Sequence, residues 1–381
     1  MSIHSNYFKH APAPERKNSV SRNRKVKVAV LIPAHNEAGS IAATIEAQLA
    51  QKRVADQIIV ISDNSTDNTY EIAKSYPAVT ALKTEGNLHK KSGALNWAWT
   101  NYAQDADLVV CLDADTVLPD NAVRDWIAEF RKDKNLGGSS SKFTMLGTPM
   151  IVRLQRAEFA KWTTTGLRRG WASVLAGTGC MIRNTALKEL AARDDREGPW
   201  SYNSVVEDFE LTYRLREMGY LCQISPTVRA YTDAMKSVKT LWAQRMKWQV
   251  GTVEDLTILG LNRLTAIDWW QQILGLFAAA VRIMWVVLLI IAATPYGSIS
   301  HNILWILLPF LFIISDTAQA FLIPHRDRKD ILLAASLVPQ EIFAWMRAGW
   351  FLTAWYEVMV SKVTRRKKDR WSMQYAAEGV N

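Results

Sequence analysis

Cysteine is scarce in this chain of 381 residues: Cys111, Cys180 and Cys222 are three, an odd number, and they lack the spacing of metal ligands. This excludes a disulfide-rich secreted scaffold and indicates a reducing compartment. Residues 1–27 lack an apolar run and are polar, with a clear excess of basic over acidic residues. That absence excludes a signal peptide or a spanning helix at this end, and we expect a flexible basic arm over residues 1–25.

Nucleic-acid-binding signatures are also absent, although the net charge is +10. No helix-turn-helix, zinc or single-strand-binding pattern is present. The basic residues concentrate in the arm and in a tail at 362–381, which follows apolar segments. That placement is typical of a protein at an anionic membrane surface. We therefore expect a membrane, and no nucleic acid, as a partner.

The chain from residue 26 alternates apolar strands with helices. The strands are expected at 28–32, 57–61, 79–82 and 108–112, and Asn36 is expected to cap the first helix. Such alternation predicts crossover units and a mostly parallel sheet. Ligands of such sheets collect where the strands end, so each polar strand end is a candidate part of a site.

The composition changes from Trp269 onward, and ten of the sixteen tryptophans lie from Trp242 onward. Residues 270–293 and 303–323 are apolar and long enough to cross a bilayer. Residues 331–360 are apolar but carry three charges, which favours an interfacial or partner-packed helix. The loop between the two predicted spans has no Lys or Arg, so a two-span hairpin with a cytoplasmic N-terminal domain and tail is expected.

Two acidic pairs are the sharpest candidates for chemistry. Asp113 and Asp115 follow a buried strand, where their oxygens suit Mg²⁺ or Mn²⁺, although a plain acidic turn is the alternative. Glu207 and Asp208 open an amphipathic helix. There they provide a general base beside a diphosphate site, or only favourable charges at a helix N-terminus.

A third candidate combines an amide, two cations and an indole at residues 244–248, just before the apolar region. Arg and Lys neutralise a diphosphate, and an indole stacks on a sugar face. The alternative is a basic-aromatic belt at a membrane interface.

Seven stretches in unbroken order over residues 26–255 resemble glycosyltransferase family 2, in its membrane-bound polysaccharide-synthase branch. That branch includes cellulose, chitin, hyaluronan and poly-N-acetylglucosamine synthases. The stretches are 31–37, 62–69, 91–96, 112–116, 177–179, 207–215 and 244–248.

The resemblance implies an α/β architecture: a GT-A nucleotide-diphospho-sugar transferase fold over 26–255, followed by membrane-associated helices over 256–361. It places Asp208, with Glu207 beside it, as the catalytic base and Asp113 and Asp115 as the metal site. The implied nucleotide-binding residues are Pro33, His35, Glu37, Asp63, Lys91 and Asp113. The implied acceptor and diphosphate residues are Gly177, Thr178, Gly179, Gln244, Arg245, Lys247 and Trp248.

The implied activity is metal-dependent, inverting transfer of a sugar from a UDP-sugar to a glycan, lipid-linked or protein hydroxyl, with Mn²⁺ or Mg²⁺ as cofactor. The implied location is the inner (plasma) membrane. Processive polysaccharide synthesis, single-sugar transfer and, remotely, an inactive scaffold stay open. With two expected spans, either several copies assemble a glycan channel as a homo-oligomer or the chain only anchors. Lys247 stands where the family signature has arginine, and it lacks the fork of a guanidinium.

Overall fold

A computed structural model describes residues 24–292 and 313–380. Contacts divide them into two compact units. The first contains the described residues up to 144, with 165–203 and 207–233. The second contains 145–164, 204–206 and the described residues from 234 onward. Almost all of the predicted arm lies outside the described residues, and the predicted boundary at 255 stays a prediction.

The first unit is built on one eight-stranded sheet with the order β3-β2-β1-β4-β7-β6-β8-β5. Its strands are β1 (Val28–Ala34), β2 (Gln57–Asp63), β3 (Thr80–Thr84), β4 (Leu108–Cys111), β5 (Thr116–Val117), β6 (Leu136–Thr144), β7 (Cys180–Arg183) and β8 (Leu221–Thr232).

The four predicted strands are confirmed as β1 to β4, and they are mutually parallel. The expectation of a mostly parallel sheet fails in part of the other half, which is mixed: β6 and β8 are parallel, but the remaining pairings are not. There β7 runs antiparallel to both β4 and β6, and β5 runs antiparallel to β8. The first half follows crossover units, whereas β7 returns from a longer excursion of the chain and enters in the opposite direction.

The sheet is buried on both faces. Val28, Val30 and Ile32 of β1 pack into one apolar cluster, and the alternate residues Ala29 and Leu31 pack into another. Because successive strand side chains point to opposite faces, a continuous apolar run is what such a strand requires. Two cores therefore fix the sheet position and, with it, the strand ends.

The helices of the chain follow in order. They are α1 (Ile41–Leu49), α2 (Thr69–Lys74), α3 (Lys90–Tyr102), α4 (Ala122–Lys132), α5 (Met150–Arg169), α6 (Asn184–Ala191), α7 (Glu207–Glu217), α8 (Val238–Leu259), α9 (Ala266–Ala292), α10 (Arg328–Ala334), α11 (Leu337–Thr364) and α12 (Arg370–Glu378).

Asn36 does not cap α1, because that helix begins at Ile41 with Ser40 as its N-cap. Instead Asn36 takes a left-handed conformation (φ 54°) and its Oδ1 accepts a hydrogen bond from the Thr66 amide at 2.7 Å. Asn tolerates this backbone region better than most residues. Asn36, which was expected to cap a helix, therefore joins two loops instead.

The second unit is helical. Ser237 and Thr240 form a capping box at the start of α8, and Asp327 and Asp330 form one at the start of α10. Buried apolar side chains of α8 and α11 share one cluster, which includes Leu241, Met246 and Trp350. Long amphipathic helices gain most of their stability from such packing.

Among residues 24–292 and 313–380, α9 is the one helix long and apolar enough to cross a bilayer, and a bent pair counts as a second if taken as one span. That pair is α10 with α11, bent by 70°. α9 covers the predicted span 270–293 and leaves large apolar side chains exposed, such as Phe277 and Ile290. Residues 303–312 of the predicted span 303–323 lie outside the described residues, and 313–320 are helical.

Candidate active site

The ends of three parallel strands bring predicted nucleotide-binding residues to one edge of the first unit's sheet. β1 ends at Ala34, β2 ends at Asp63, and β4 ends at Cys111, two residues before Asp113. His35 Nδ1 lies 2.7 Å from the Asp63 carbonyl oxygen and ties two of these ends together. Because parallel strands end on the same side, residues far apart in sequence share this edge.

The Asp63 carboxylate is buried and held by two donors that the sequence motifs do not include. Its Oδ1 accepts hydrogen bonds from Thr84 Oγ1 at 2.5 Å and from Asn87 Nδ2 at 2.7 Å. A Cβ on Gly93 would lie 2.2 Å from Asn87 Oδ1. Glycine at position 93 therefore leaves room for the Asn87 side chain, which orients Asp63. This glycine, in the 91–96 stretch, is the feature of the sequence that could have indicated Asn87.

Pro33 and Glu37 lie in and just after β1. Pro33 pairs with Ile61 in the parallel ladder. The Glu37 amide donates to Thr69 Oγ1 at 2.7 Å, and Glu37 Oε2 accepts from Ser40 Oγ at 2.5 Å. These bonds join the segment after β1 to the start of α2.

Lys91 lies between two carboxylates. Its Nζ donates to Asp113 Oδ1 at 2.5 Å and lies 3.3 Å from Glu207 Oε1. Burial disfavours the charged amine, but the charges of Asp113 and Glu207 outweigh it and hold the pKa of Lys91 well above its usual range. The structure thus joins three predicted site residues from α3, the end of β4 and the start of α7.

Asp115 carries the clearest sign of crowded negative charge. Burial, with the charges of Asp113 and Glu37, raises the pKa of Asp115 to about 7, and exposed Asp233 acts in the same direction. Mutually repelling carboxylates are stabilised by a divalent cation, which prefers oxygen ligands. No set of three or more His, Cys, Asp and Glu side chains able to hold a metal occurs in the described part of the chain. Asp113 and Asp115 therefore fit as a partial metal site.

Asp208, the second residue of α7, is a half-buried carboxylate. Burial, with the neighbouring Glu207 charge, raises the pKa of Asp208 to about 6, although Lys91 acts in the opposite direction. The Thr212 hydroxyl donates to the Asp208 carbonyl at 2.5 Å and accepts from the Leu175 amide at 2.8 Å. The helix that carries Asp208 is therefore tied to the loop before β7.

That loop contains Gly177, Thr178 and Gly179. The Asp113 amide donates to the Gly177 carbonyl at 2.9 Å, and a Cβ on Gly177 would lie 2.5 Å from Lys91 Nζ. Gly179 has φ 126°, a conformation that favours glycine. Close approach to Lys91 and Asp113 therefore requires a residue without a side chain at 177.

The signature residues 244–248 lie on α8 in the second unit. Arg245 is 3% exposed, and its Nη2 forms a 2.9 Å ion pair with Glu158 Oε2. Its guanidinium carbon lies 4.4–5.4 Å from the ring centroids of Trp248, Phe159 and Trp162. Arg245 is thus held by aromatic faces and one carboxylate.

Lys247 and Gln244 also have partners within the second unit. Lys247 is 6% exposed, and its Nζ lies 3.2 Å from the ring centroid of Trp371. Gln244 Oε1 accepts a 3.3 Å hydrogen bond from Arg245 Nη1. Trp371, on α12, is a neighbour that no sequence motif indicates.

The fold and the carboxylate-lined sheet edge define a class of protein, the GT-A nucleotide-diphospho-sugar transferases. The fold is similar to that of a mannosyltransferase, PcManGT from Pyrobaculum calidifontis, solved with GDP-Man and Mn²⁺. The TM-score is 0.60 at 17% identity, over 89% of this chain and 88% of that one.

The family model described as Glycosyl transferase family 2 matches residues 29–191. The match confirms, over these residues, the resemblance that the sequence motifs predict. The matched region contains the described edge from β1 to Gly179 and ends before Asp208.

Two relatives extend the likeness. "Probable glycosyltransferase YdaM" of Bacillus subtilis is 30% identical over 59% of this chain and 55% of its own length. Poly-beta-1,6-N-acetyl-D-glucosamine synthase of Staphylococcus epidermidis is 25% identical over 87% of this chain and 83% of its own length. The chain thus spans about half of the first relative and most of the second.

Proposed function

We propose that this chain is an inverting glycosyltransferase that moves a sugar, N-acetylglucosamine in the first instance, from a UDP-sugar to an acceptor hydroxyl. The observation that carries the proposal is the charged cluster at the sheet edge. There Lys91 bridges Asp113 and Glu207 while Asp115 and Asp208 have raised pKa values. Perturbed carboxylates around a lysine at strand ends are typical of a catalytic site.

The first two strand ends would hold the nucleotide. Asp63, fixed by Thr84 and Asn87, would accept a hydrogen bond from the uracil ring. Pro33, His35 and Glu37 would line the same pocket, as the resemblance implies. The rigidity of the Asp63 carboxylate supports this role, since recognition of a base needs a pre-oriented acceptor.

Asp113 and Asp115 would hold Mn²⁺ or Mg²⁺ together with the diphosphate, which a bound cation would help to neutralise. Lys91, whose ammonium lies against Asp113, would supply a positive charge for the diphosphate. The raised pKa of Asp115 supports the assignment: a cation would relieve the repulsion among Asp113, Asp115 and Glu37.

Asp208 would act as general base. The acceptor oxygen forms a bond to the anomeric carbon while the bond from that carbon to the diphosphate oxygen breaks, and UDP leaves with the electron pair. The acceptor proton passes to the Asp208 carboxylate, and attack opposite the leaving group inverts the anomeric configuration. Glu207 would stay against Lys91 and balance its charge.

The chain would divide into a catalytic domain and a membrane-associated part. We propose a catalytic domain over 26–255, in which loop 177–179 would serve the acceptor. The roles that the resemblance implies for Gln244, Arg245, Lys247 and Trp248 at the diphosphate and the acceptor stay a prediction. Membrane-associated helices over 256–361 would place the protein at the inner membrane with its catalytic domain in the cytoplasm. The apolar surface of α9 supports that location.

The proposal is tested by UDP release from detergent-purified protein with UDP-GlcNAc, UDP-Glc, UDP-GlcA and GDP-Man, each with Mn²⁺ or Mg²⁺. We expect release with UDP-GlcNAc, loss on adding EDTA, and loss in D115A. Release with GDP-Man alone, or EDTA-resistant release, would contradict it.

Product length separates the two forms of the function. A poly-N-acetylglucosamine synthase among the relatives favours a long polymer. One helix fit to span a membrane among the described residues favours single-sugar transfer to a glycan, lipid-linked or protein acceptor. Mass spectrometry of the product gives a ladder in the first case and one added sugar in the second.

A further inference from the structure

The buried carboxylate of Asp63, at the end of β2, receives both of its side-chain hydrogen bonds on the same oxygen. Asp63 is 4% exposed, and Thr84 Oγ1 and Asn87 Nδ2 both donate to its Oδ1. No donor to Oδ2 occurs in the part of the chain that the structure describes. Burying a carboxylate oxygen without a donor is costly, so Oδ2 indicates a place where a ligand donates.

The Asn87 side chain, in the loop between β3 and α3, uses both of its N–H donors within the protein. Nδ2 donates to Asp63 Oδ1 at 2.7 Å and to the Lys90 carbonyl at 2.7 Å. Its Oδ1 accepts from the His89 amide at 3.0 Å. A side-chain amide has two N–H donors, so Asn87 has none left for a ligand. Its effect on a ligand therefore passes through Asp63.

The position of the Asn87 amide is set by its neighbours. Asn64 Nδ2 donates to the Asn87 carbonyl at 2.8 Å, and the Asn87 main-chain amide donates to Asn64 Oδ1 at 3.2 Å. Asn64 directly follows Asp63, so these two bonds tie Asn87 to the end of β2. A Cβ on Gly93 would lie 2.2 Å from Asn87 Oδ1, so the first turn of α3 leaves only the room that the amide occupies. The donor to Asp63 is therefore in place before a ligand binds.

A fixed Asp63 Oδ2 distinguishes between bases by their hydrogen-bonding edges. A carboxylate oxygen accepts an N–H and repels a lone pair. Uracil carries an N–H at N3, whereas cytosine presents an unprotonated N3 at the same position. Because the two bases have nearly the same size, discrimination between them depends on that one hydrogen bond and on where the oxygen points.

We propose that Asn87 is a positioning residue that holds Oδ1 of Asp63, directs Oδ2 to the base, and so selects uridine over cytidine nucleotides. This inference rests on the proposed function for the place of the nucleotide. It assigns the selectivity to a residue that does not itself donate to the ligand.

The first test compares the affinities of UDP and CDP, because the two share their ribose and diphosphate. Both are titrated by calorimetry into intact, detergent-purified protein with Mn²⁺. We expect the wild type to bind UDP about ten- to a hundred-fold more tightly, from the strength of a hydrogen bond to a charged acceptor. N87A should reduce this preference to about threefold or less, by weakening UDP binding and leaving CDP binding nearly unchanged. N101A, which removes an exposed amide from α3, should keep the wild-type preference.

The second test displaces the Asn87 amide without changing it. G93A adds a methyl group at the position 2.2 Å from Asn87 Oδ1, so the amide has to move. Alanine is a better helix former than glycine, so α3 itself is not weakened. We expect G93A to lower the preference for UDP as N87A does. An unchanged preference in either variant overturns the inference.

The third test, N87D, keeps the shape of the side chain and decides the question if N87A does not fold. The introduced carboxyl donates to Asp63 only while it is protonated, and the adjacent carboxylate favours that form. The preference for UDP should therefore be close to wild type at about pH 6 and fall toward about pH 8, whereas the wild-type preference stays level. A level profile in N87D as well overturns the inference.

The two proposals fail in different ways. Wild-type protein that prefers UDP, with N87A losing UDP and CDP affinity equally, removes the positioning role and leaves the proposed function standing. Wild-type protein that binds UDP and CDP equally, or binds neither, contradicts the recognition of uracil by Asp63, on which the proposed function depends.

Discussion

Each unit buries a cation, and the two cations are held by different chemistry. In the first unit, Lys91 is balanced by the carboxylates of Asp113 and Glu207. In the second, Arg245 is surrounded by three aromatic rings and a single carboxylate, that of Glu158. A carboxylate partner responds to any metal ion or phosphate that enters, because charges compete. The contacts of Arg245 with aromatic faces do not change in this way when a metal ion or phosphate enters.

The difference indicates two tasks. Under the proposed function, a ligand would exchange one partner of Lys91 for another, so the Lys91 cluster would be an adjustable charge balance. The rings and Glu158 hold Arg245 in one place, so we expect the Arg245 cluster to stabilise the second unit. Mutations should therefore reduce chemistry in the first cluster and stability in the second.

The largest effect is expected for the catalytic base. D208N removes the proton acceptor and leaves the neighbouring side chains in place, so turnover should fall by about 10²–10⁴ while UDP affinity changes little. UDP release and calorimetry measure the two quantities. E217Q, at the other end of α7, is the matched control and should keep its activity. Near-normal turnover in D208N would remove Asp208 from the mechanism.

The second prediction concerns Arg245. R245A leaves the Glu158 carboxylate buried without its partner, which costs about 3–5 kcal/mol of stability. Thermal unfolding in detergent should show the second unit melting lower, by about 2–4 °C per kcal/mol. The double variant R245L/E158L removes both charges and should recover most of the loss. If both variants lose the same stability, the loss comes from the missing contacts between Arg245 and the aromatic rings, and not from the unpaired Glu158 carboxylate.

The third prediction uses the raised pKa of Asp208. At saturating Mn²⁺, which would relieve the repulsion that raises the pKa of Asp115, the profile reports Asp208: a base with a pKa of about 6 is ionised above that pH, so kcat/KM should be level from pH 7 to 8 and fall about tenfold per pH unit below 6. Stability has the opposite sign: a pKa raised from 3.8 favours the folded state at low pH, and this contribution is lost as pH rises through 6. The residual activity of D208N should lack the acid limb. A wild-type profile that stays level to pH 5 would contradict the assignment.

The sequence predicted the strands that end at the carboxylate-lined sheet edge, because its signals are local. An apolar run that ends in a polar residue locates Asp63 and Asp113, and the parallel arrangement brings them together. The mixed half of the sheet was not predictable in this way. The buried strand β6 is rich in glycine and serine, and its Ser139 Oγ donates to Glu129 Oε2 at 2.5 Å. A hydropathy pattern does not predict a buried strand of polar residues whose hydrogen bonds go to a carboxylate on another element.

Contacts between distant parts of the chain were the other omission. Glu207 against Lys91, and Trp371 against Lys247, join residues far apart in sequence. Each residue taken alone has an ordinary explanation, a helix N-terminal acid or a tail tryptophan. Only packing decides which partner each one meets, so sequence motifs identify the chemical groups and not their pairings.

The smallest effect is expected at Thr212, whose hydroxyl donates to Asp208 and accepts from Leu175. T212V keeps the volume and leaves the buried Leu175 amide without an acceptor, which costs about 1 kcal/mol. If this tie holds α7 against the loop of Gly177, kcat should fall about fivefold with little change in UDP affinity, because Asp208 is displaced while the nucleotide edge is intact.

T212S is the matched variant for that tie, because it keeps the hydroxyl and removes only a methyl group. It should retain most of the activity lost in T212V. A loss of UDP affinity in T212V equal to the loss of kcat would mean that the tie supports the whole edge. The adjustable charge balance would then extend from Lys91 through α7. Thr212 would belong to the responsive first cluster, in contrast to the fixed second one.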